Sequence, residues 1–194
     1  MKILVTGGTG FIGRALCTHL LRDAHQLVVL TRHPASVSAP IQGVSDLKQL
    51  STDLVFDVVI NLAGEPIADK RWNESQKQKI ITSRIDISKN LISYFQASKE
   101  KPKLFISGSA IGYYGVAGSG SGESNTDIEE SAYGDDSFSS QLCQQWEGVA
   151  LAANELGIRT CLLRTGIVLG NGGALGKMLL PFKLGLGGKI GSGK

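Results

Sequence analysis

Lys2-Ile3-Leu4-Val5-Thr6 runs directly into Gly7-Gly8-Thr9-Gly10-Phe11-Ile12-Gly13 near the start of the chain. The first five residues are the apolar, β-branched run that a strand buried on both faces requires. Beyond the glycines, Ile12, Leu16 and Leu20 recur every four residues to about Asp23, which makes one face of a helix. Gly7, Gly10 and Gly13 therefore stand at a strand-to-helix turn, with spacing GxxGxxG. Backbone N–H groups and the helix dipole at such a turn suit a pyrophosphate. Gly7 allows the tight turn, Gly10 the close approach of phosphate, and Gly13 the packing of helix on sheet. With Gly8, Thr9, Phe11 and Ile12 they form the expected cofactor cradle. A bare glycine pattern is weak, but these flanks make it specific.

The second strand is Gln26–Leu30. Sites that take NAD usually carry an acid at the end of this strand for the ribose 2′-hydroxyl. Here the chain reads Thr31-Arg32-His33-Pro34, with no Asp or Glu. A guanidinium pairs bidentately with a 2′-phosphate and lies flat on an adenine ring. The expected cofactor is NADP(H), with NAD(H) less favoured and Thr31 and Arg32 at the discriminating position. The plainer alternative for Arg32 is an exposed loop cation.

Further strands are expected near Gln42–Val44, over Phe56–Leu62, over Lys103–Ser107 and over Arg159–Leu163. Asn73 with Gln76 resembles a capping box before a helix, a second helical stretch follows near Arg84–Ser98, and another runs over Phe138–Leu156. Ala110–Asp136 is rich in Gly, Ser and acids and has no period. Strands alternating with helices imply an α/β fold, a Rossmann-type doubly wound parallel sheet with helices on both faces and right-handed crossovers.

Composition removes several classes. Of the 194 residues 42% are hydrophobic and 19% charged, which fits neither disorder nor a fibrous array. No apolar run approaches the ~20 residues of a membrane span, and the opening lacks the features of a signal peptide. Cys17, Cys143 and Cys161 are an odd count without metal-ligand spacing. The expectation is reduced thiols in a cytoplasmic protein with no metal site. Net charge is +3, and four lysines with no acid fall within 170–194. A balanced body with a basic tail does not supply the clustered cations that nucleic acid needs. The expected partner is a small-molecule substrate, with neither nucleic acid nor membrane.

These motifs resemble the extended, sugar-nucleotide-epimerase-like short-chain dehydrogenase/reductases. The opening Thr6–Gly13 is similar to that type's fingerprint, Asn61-Leu62-Ala63-Gly64 to its turn after strand four, and Ser107-Gly108-Ser109 with Tyr114-Gly115 to its serine loop after strand five. More narrowly, Asn61–Trp72, Ser109–Gly115, Leu163–Gly170 and Leu179–Gly193 resemble the YfcH-like epimerase-family proteins. The resemblance implies that Leu62, Ala63 and Gly64 line the cofactor ribose and that Ser107 belongs to the cofactor edge. Arg84 occupies a place where the wider family commonly has asparagine, and would reach the nicotinamide side; a helix-surface cation is the alternative. Residues 1–170 would form the NAD(P)-binding Rossmann domain and 171–194 the start of a substrate lobe, cut short here.

The resemblance breaks at the Tyr-x-x-x-Lys dyad of the wider family, whose members share one helix face. Tyr94, Tyr113, Tyr114 and Tyr133 are followed four residues later by Ser98, Ala117, Gly118 and Ser137. Anchored on Trp146-Glu147, the tyrosine and lysine places fall at Ser139 and Cys143. No histidine follows His33 to activate them as a nucleophile pair, and Cys143 reads as a small apolar filler. The remaining candidate catalytic residues are Ser109, Tyr113 and Tyr114, which can donate or accept protons; loop packing is the alternative for the tyrosines. The acidic stretch Glu123–Asp136 reads as a solvated flap. Two functions stay open: an NADP-dependent oxidoreductase or epimerase on a small polar, sugar-like substrate, and a non-catalytic NADP(H)-binding sensor or scaffold.

Overall fold

The computed structural model describes residues 1–67, 69–115, 128–170 and 172–188. Six strands form one parallel sheet: β1 Lys2–Thr6, β2 Gln26–Leu30, β3 Gln42–Val44, β4 Val58–Asn61, β5 Leu104–Ala110 and β6 Arg159–Thr165. Their order is β3-β2-β1-β4-β5-β6. The winding reverses between β1 and β4, and in open α/β sheets the crevice at such a switch point receives ligands.

Successive side chains of β1 enter opposite cores, as the period of two demands. Ile3 and Val5 join Leu27, Val29 and Cys17 beneath α1 (Phe11–Arg22). Leu4 joins Val28, Val59 and Phe105 beneath α2 (Glu74–Ala97) and α3 (Phe138–Leu151). Phe95 of α2 meets Phe105 of β5 edge-on at 5.3 Å between centroids. Each such fully buried apolar side chain contributes roughly 1.5–3 kcal/mol. The sheet is thus a rigid platform covered on both faces.

Several boundaries differ from the sequence expectations. β5 and β6 run on in register to Ala110↔Thr165. Gly108 reads as a strand terminator, yet a Cβ there would come within 3.1 Å of the Trp146 ring, so the glycine admits that indole and the ladder continues. β4 is shorter because Asp57 turns to Lys2, accepting its N–H through Oδ2 at 2.8 Å. α2 is one helix of 24 residues that begins at the expected Asn73 cap and runs through the stretch near 84–98, where the sequence reading has two helical stretches. Asn73 Oδ1 caps it by accepting from the Gln76 N–H at 2.8 Å, but the Asn73 N–H donates to the Arg71 carbonyl at 3.0 Å rather than to the Gln76 side chain, so the reciprocal arm of the capping box is absent. A fourth helix, α4 (Gly173–Lys183), lies in the glycine-rich tail, where the sequence marked none. Residues 123–127 of the acidic stretch and 189–193 of the tail motif lie outside the described residues. No helix among the described residues is long and apolar enough to cross a membrane.

Candidate functional site

The cradle sits at the carboxyl end of β1. Gly7 has φ +69°, and a Cβ on it would stand 2.6 Å from the Leu62 carbonyl. A Cβ on Gly13 would fall 2.2 Å from the Gly7 oxygen. Both contacts are with backbone, so only glycine fits. Gly10 is the N-cap of α1, and no side chain caps the helix. First-turn N–H groups left without intrahelical partners, at the positive end of a helix dipole, suit a phosphate. The Phe11 ring carries the segment after β6, with Gly170 so close that a Cβ would meet it at 2.9 Å.

Beyond β2, Thr31 Oγ1 lies 3.5 Å from Thr9 Oγ1 and accepts from the His33 N–H at 3.3 Å. Arg32 is exposed and makes no hydrogen bond or ion pair among the described residues. Arg14 was not singled out from sequence. Its Nε donates to the Thr9 carbonyl at 2.7 Å, bringing a cation to the glycine turn itself.

The loop after β4 is held by a buried chain of hydrogen bonds. Thr6 Oγ1 donates to Asn61 Oδ1 at 2.6 Å and accepts from the Ala63 N–H at 3.2 Å. Asn61 Nδ2 donates to Ser88 Oγ at 3.0 Å, and Ser88 donates to the Arg84 carbonyl at 2.8 Å. Leu62, Ala63 and Gly64 are therefore fixed beside the cradle. Opposite Asn61 in the β4–β5 register stands Ser107, fully buried. The Arg84 guanidinium lies against Gly64, where a Cβ would be 2.8 Å from Cζ, and 5.3 Å from the Trp146 ring centroid.

Ser109 is only 4% exposed and donates to Glu147 Oε1 at 2.6 Å. Glu147 also receives a bidentate pair from Arg164, Nε at 2.9 Å and Nη2 at 2.8 Å. Those bonds push the Arg164 guanidinium further above its ordinary value, keeping it charged. Arg164 Nη1 donates to the Tyr114 hydroxyl at 2.9 Å and to the Glu130 carbonyl at 2.9 Å. Its Cζ sits 3.5 Å from the Tyr113 ring centroid. All three catalytic candidates thus join one network, whose centre, Glu147 and Arg164, the sequence reading missed. The available signals were a carboxylate on the apolar stripe of α3 and an arginine inside the apolar run of β6.

Ser139 and Cys143 face the 3-10 turn 111–114. A Cβ on Gly112 would lie 3.2 Å from Ser139 Cβ and 4.0 Å from Cys143 Sγ. The turn's backbone occupies the space that larger side chains at these positions would need. Burial raises the Cys143 thiol, against opposing hydrogen bonds from Ser109 and the Ala110 backbone. It is a neutral filler, as expected from sequence.

Comparisons with known proteins agree with this geometry. The model of the NAD dependent epimerase/dehydratase family matches residues 3–182. The chain is 38% identical to the epimerase family protein YfhF of Bacillus subtilis and 39% to mouse SDR39U1, in each case over all of this chain and 64% of the relative. It thus spans a little under two thirds of the length of these curated relatives. The crystal structure of human SDR39U1 with NADPH superposes with a TM-score of 0.82 at 34% identity, covering 100% of this chain and 63% of that one. A nucleoside-diphosphate sugar epimerase from Corynebacterium glutamicum gives 0.75 at 31%, covering 100% and 39%. Family model, uncapped glycine turn and strand order together show that the chain belongs to the NAD dependent epimerase/dehydratase family.

Proposed function

We propose that this chain is the NADP(H)-binding part of an oxidoreductase or epimerase acting on a small polar, sugar-like substrate. The observation that carries the cofactor is the acid-free end of β2, with an unengaged Arg32 beside an uncapped helix N-terminus floored by glycine. The NADPH in the human relative supports the same assignment. Gly7–Gly13, including Gly8, Thr9, Phe11 and Ile12, would hold the pyrophosphate. Thr31 and Arg32 would hold the 2′-phosphate, and Leu62, Ala63 and Gly64 the ribose. Ser107 and Arg84 would flank the nicotinamide. Bound NADP(H) supplies or accepts hydride.

Hydrogen-bond bookkeeping assigns the polar roles. A hydroxyl has one proton to donate, and Ser109 gives its own to Glu147, so towards a substrate it acts as an acceptor. Tyr114 accepts from Arg164 and keeps its proton to donate. Tyr113, with its ring under the guanidinium, fixes that cation. Free Cys17, Cys143 and Cys161 support a reducing compartment, the cytoplasm.

A non-catalytic sensor is the second reading. It is favoured by the small residues Ser139 and Cys143 and by the committed Ser109 proton. Anaerobic mixing of the protein with NADPH and a panel of carbonyl compounds, followed at 340 nm, separates the two. NADPH binding with oxidation by at least one carbonyl is the expected result. Binding without turnover across the panel selects the sensor, and absence of binding contradicts both.

A further inference from the structure

Two of the helices beside the site stand taller than the sheet. Ser88 of α2 is reached by Asn61, the last residue of β4, so the fourteen residues before Ser88, about 21 Å of helix, run on past the carboxyl edge. Trp146 of α3 lies over Gly108 near the end of β5, which leaves Phe138–Gln145, about 12 Å, beyond the same edge. The projecting ends meet at their tips. Trp72, just before the α2 cap, touches Phe138 edge-on with ring centroids 5.4 Å apart. Together they wall the crevice outside the carboxyl ends of the strands, where ligands bind. Ser139, next to Phe138, faces the turn that carries Tyr113 and Tyr114.

The loop bearing Trp72 is held in place. The Glu65 N–H donates to Ser83 Oγ at 2.8 Å, and the Trp72 Nε1–H donates to the Ile67 carbonyl at 2.7 Å. That second bond consumes the one donor an indole has, so what Trp72 still offers is its ring. Trp72 is 44% exposed and Ile67 50%, whereas Trp146 is 7% exposed. Polar groups border this apolar surface. Glu65 and Lys70 of the same loop lie 3.9 Å apart, and Lys77 Nζ stands 5.5 Å from the Phe138 ring centroid. A cyclic sugar has the matching chemistry: hydroxyls around its rim, and a face of C–H bonds that suits the negative face of an aromatic ring.

We propose that Trp72 is a specificity-determining residue, the platform on which the C–H face of a pyranose ring of the substrate stacks, with the charged groups of its loop at the ring's rim. This rests on the oxidoreductase or epimerase reading and narrows its sugar-like substrate to one that presents a closed ring with an apolar face. Trp146 does not share the role, because its ring is buried against Gly108 and the Arg84 guanidinium.

Saturation-transfer NMR tests this with methyl β-galactopyranoside, one face of which is a patch of C–H bonds, and with open-chain galactitol, each with and without NADPH. The expected result is saturable binding of the pyranoside, strongest transfer to the protons of its apolar face, and galactitol weaker by roughly threefold to tenfold, the value of an aromatic stacking contact. Trp72→Leu should weaken the pyranoside by a similar factor, and Trp72→Phe, which keeps an aromatic face, should retain most of the transfer, while both variants still unfold cooperatively. A Trp72 that only holds its loop gives no face-selective transfer. No saturable pyranoside binding, galactitol binding as tightly, or equal affinity in Trp72→Leu overturns the proposal; the galactitol comparison needs no variant. Failure of NADPH to bind while Trp72-dependent pyranoside binding persists would instead sink the cofactor reading alone.

Discussion

Arg164 and Glu147 show how a single pair organises the polar end of β5 and β6. Their side chains are 17% and 6% exposed, and the carboxylate also receives the Ser109 proton. Removing one member of a buried pair leaves an uncompensated charge and costs about 3–5 kcal/mol. Glu147→Leu should therefore lower unfolding free energy in urea by about that amount. The double variant Glu147→Leu with Arg164→Leu should lose clearly less than the two single losses added together. Cysteine behaviour follows from burial at the same scale. Cys17 and Cys143 are buried with raised thiols, whereas Cys161 is half-buried. Iodoacetamide should label Cys161 first, with Cys17 and Cys143 reacting only as the protein unfolds.

Among the elements, the turn from β1 to α1 tolerates least change. Gly13→Ala would press a methyl against the Gly7 carbonyl at 2.2 Å, and backbone cannot swing aside as a side chain can. The expected loss is about 1–3 kcal/mol of stability, the usual cost of overpacking, together with more than tenfold weaker NADPH binding by fluorescence titration. This turn was fully legible in sequence because its signals are local: apolar run, glycine spacing and helical period adjoin one another. β3 lies where a strand is expected near Gln42–Val44 despite its weak pattern, and the structure adds its pairing with β2. Element ends were less legible because contacts distant in sequence decide them, as Trp146 does at Gly108. α4 was invisible because Gly173, Gly176 and Pro181 are poor helix formers. The Glu147–Arg164 pair joins a helix to the following strand, and no local period announces such a contact.

At the scale of the whole molecule, burial of protonated groups sets an alkaline limit. Desolvation raises Cys17, Cys143 and Tyr94. The folded chain therefore holds these protons to higher pH than the unfolded chain. The associated stability is complete below the ordinary thiol value of 9.0 and is lost as pH climbs through the folded values. Urea midpoints should fall between pH 8 and pH 10, an interval chosen to bracket that value.

The sheet brings the cradle after β1, the basic end of β2 and the fixed loop after β4 to one edge, the arrangement that an NADP(H) site requires. Calorimetric titration of NADPH and NADH into the protein and its Arg32→Ala variant tests this most directly. NADPH should bind the unaltered chain more tightly than NADH does. Arg32→Ala should weaken NADPH roughly tenfold to a hundredfold while leaving NADH nearly unchanged. Equal affinities for the two cofactors, or equal losses in the variant, would contradict it.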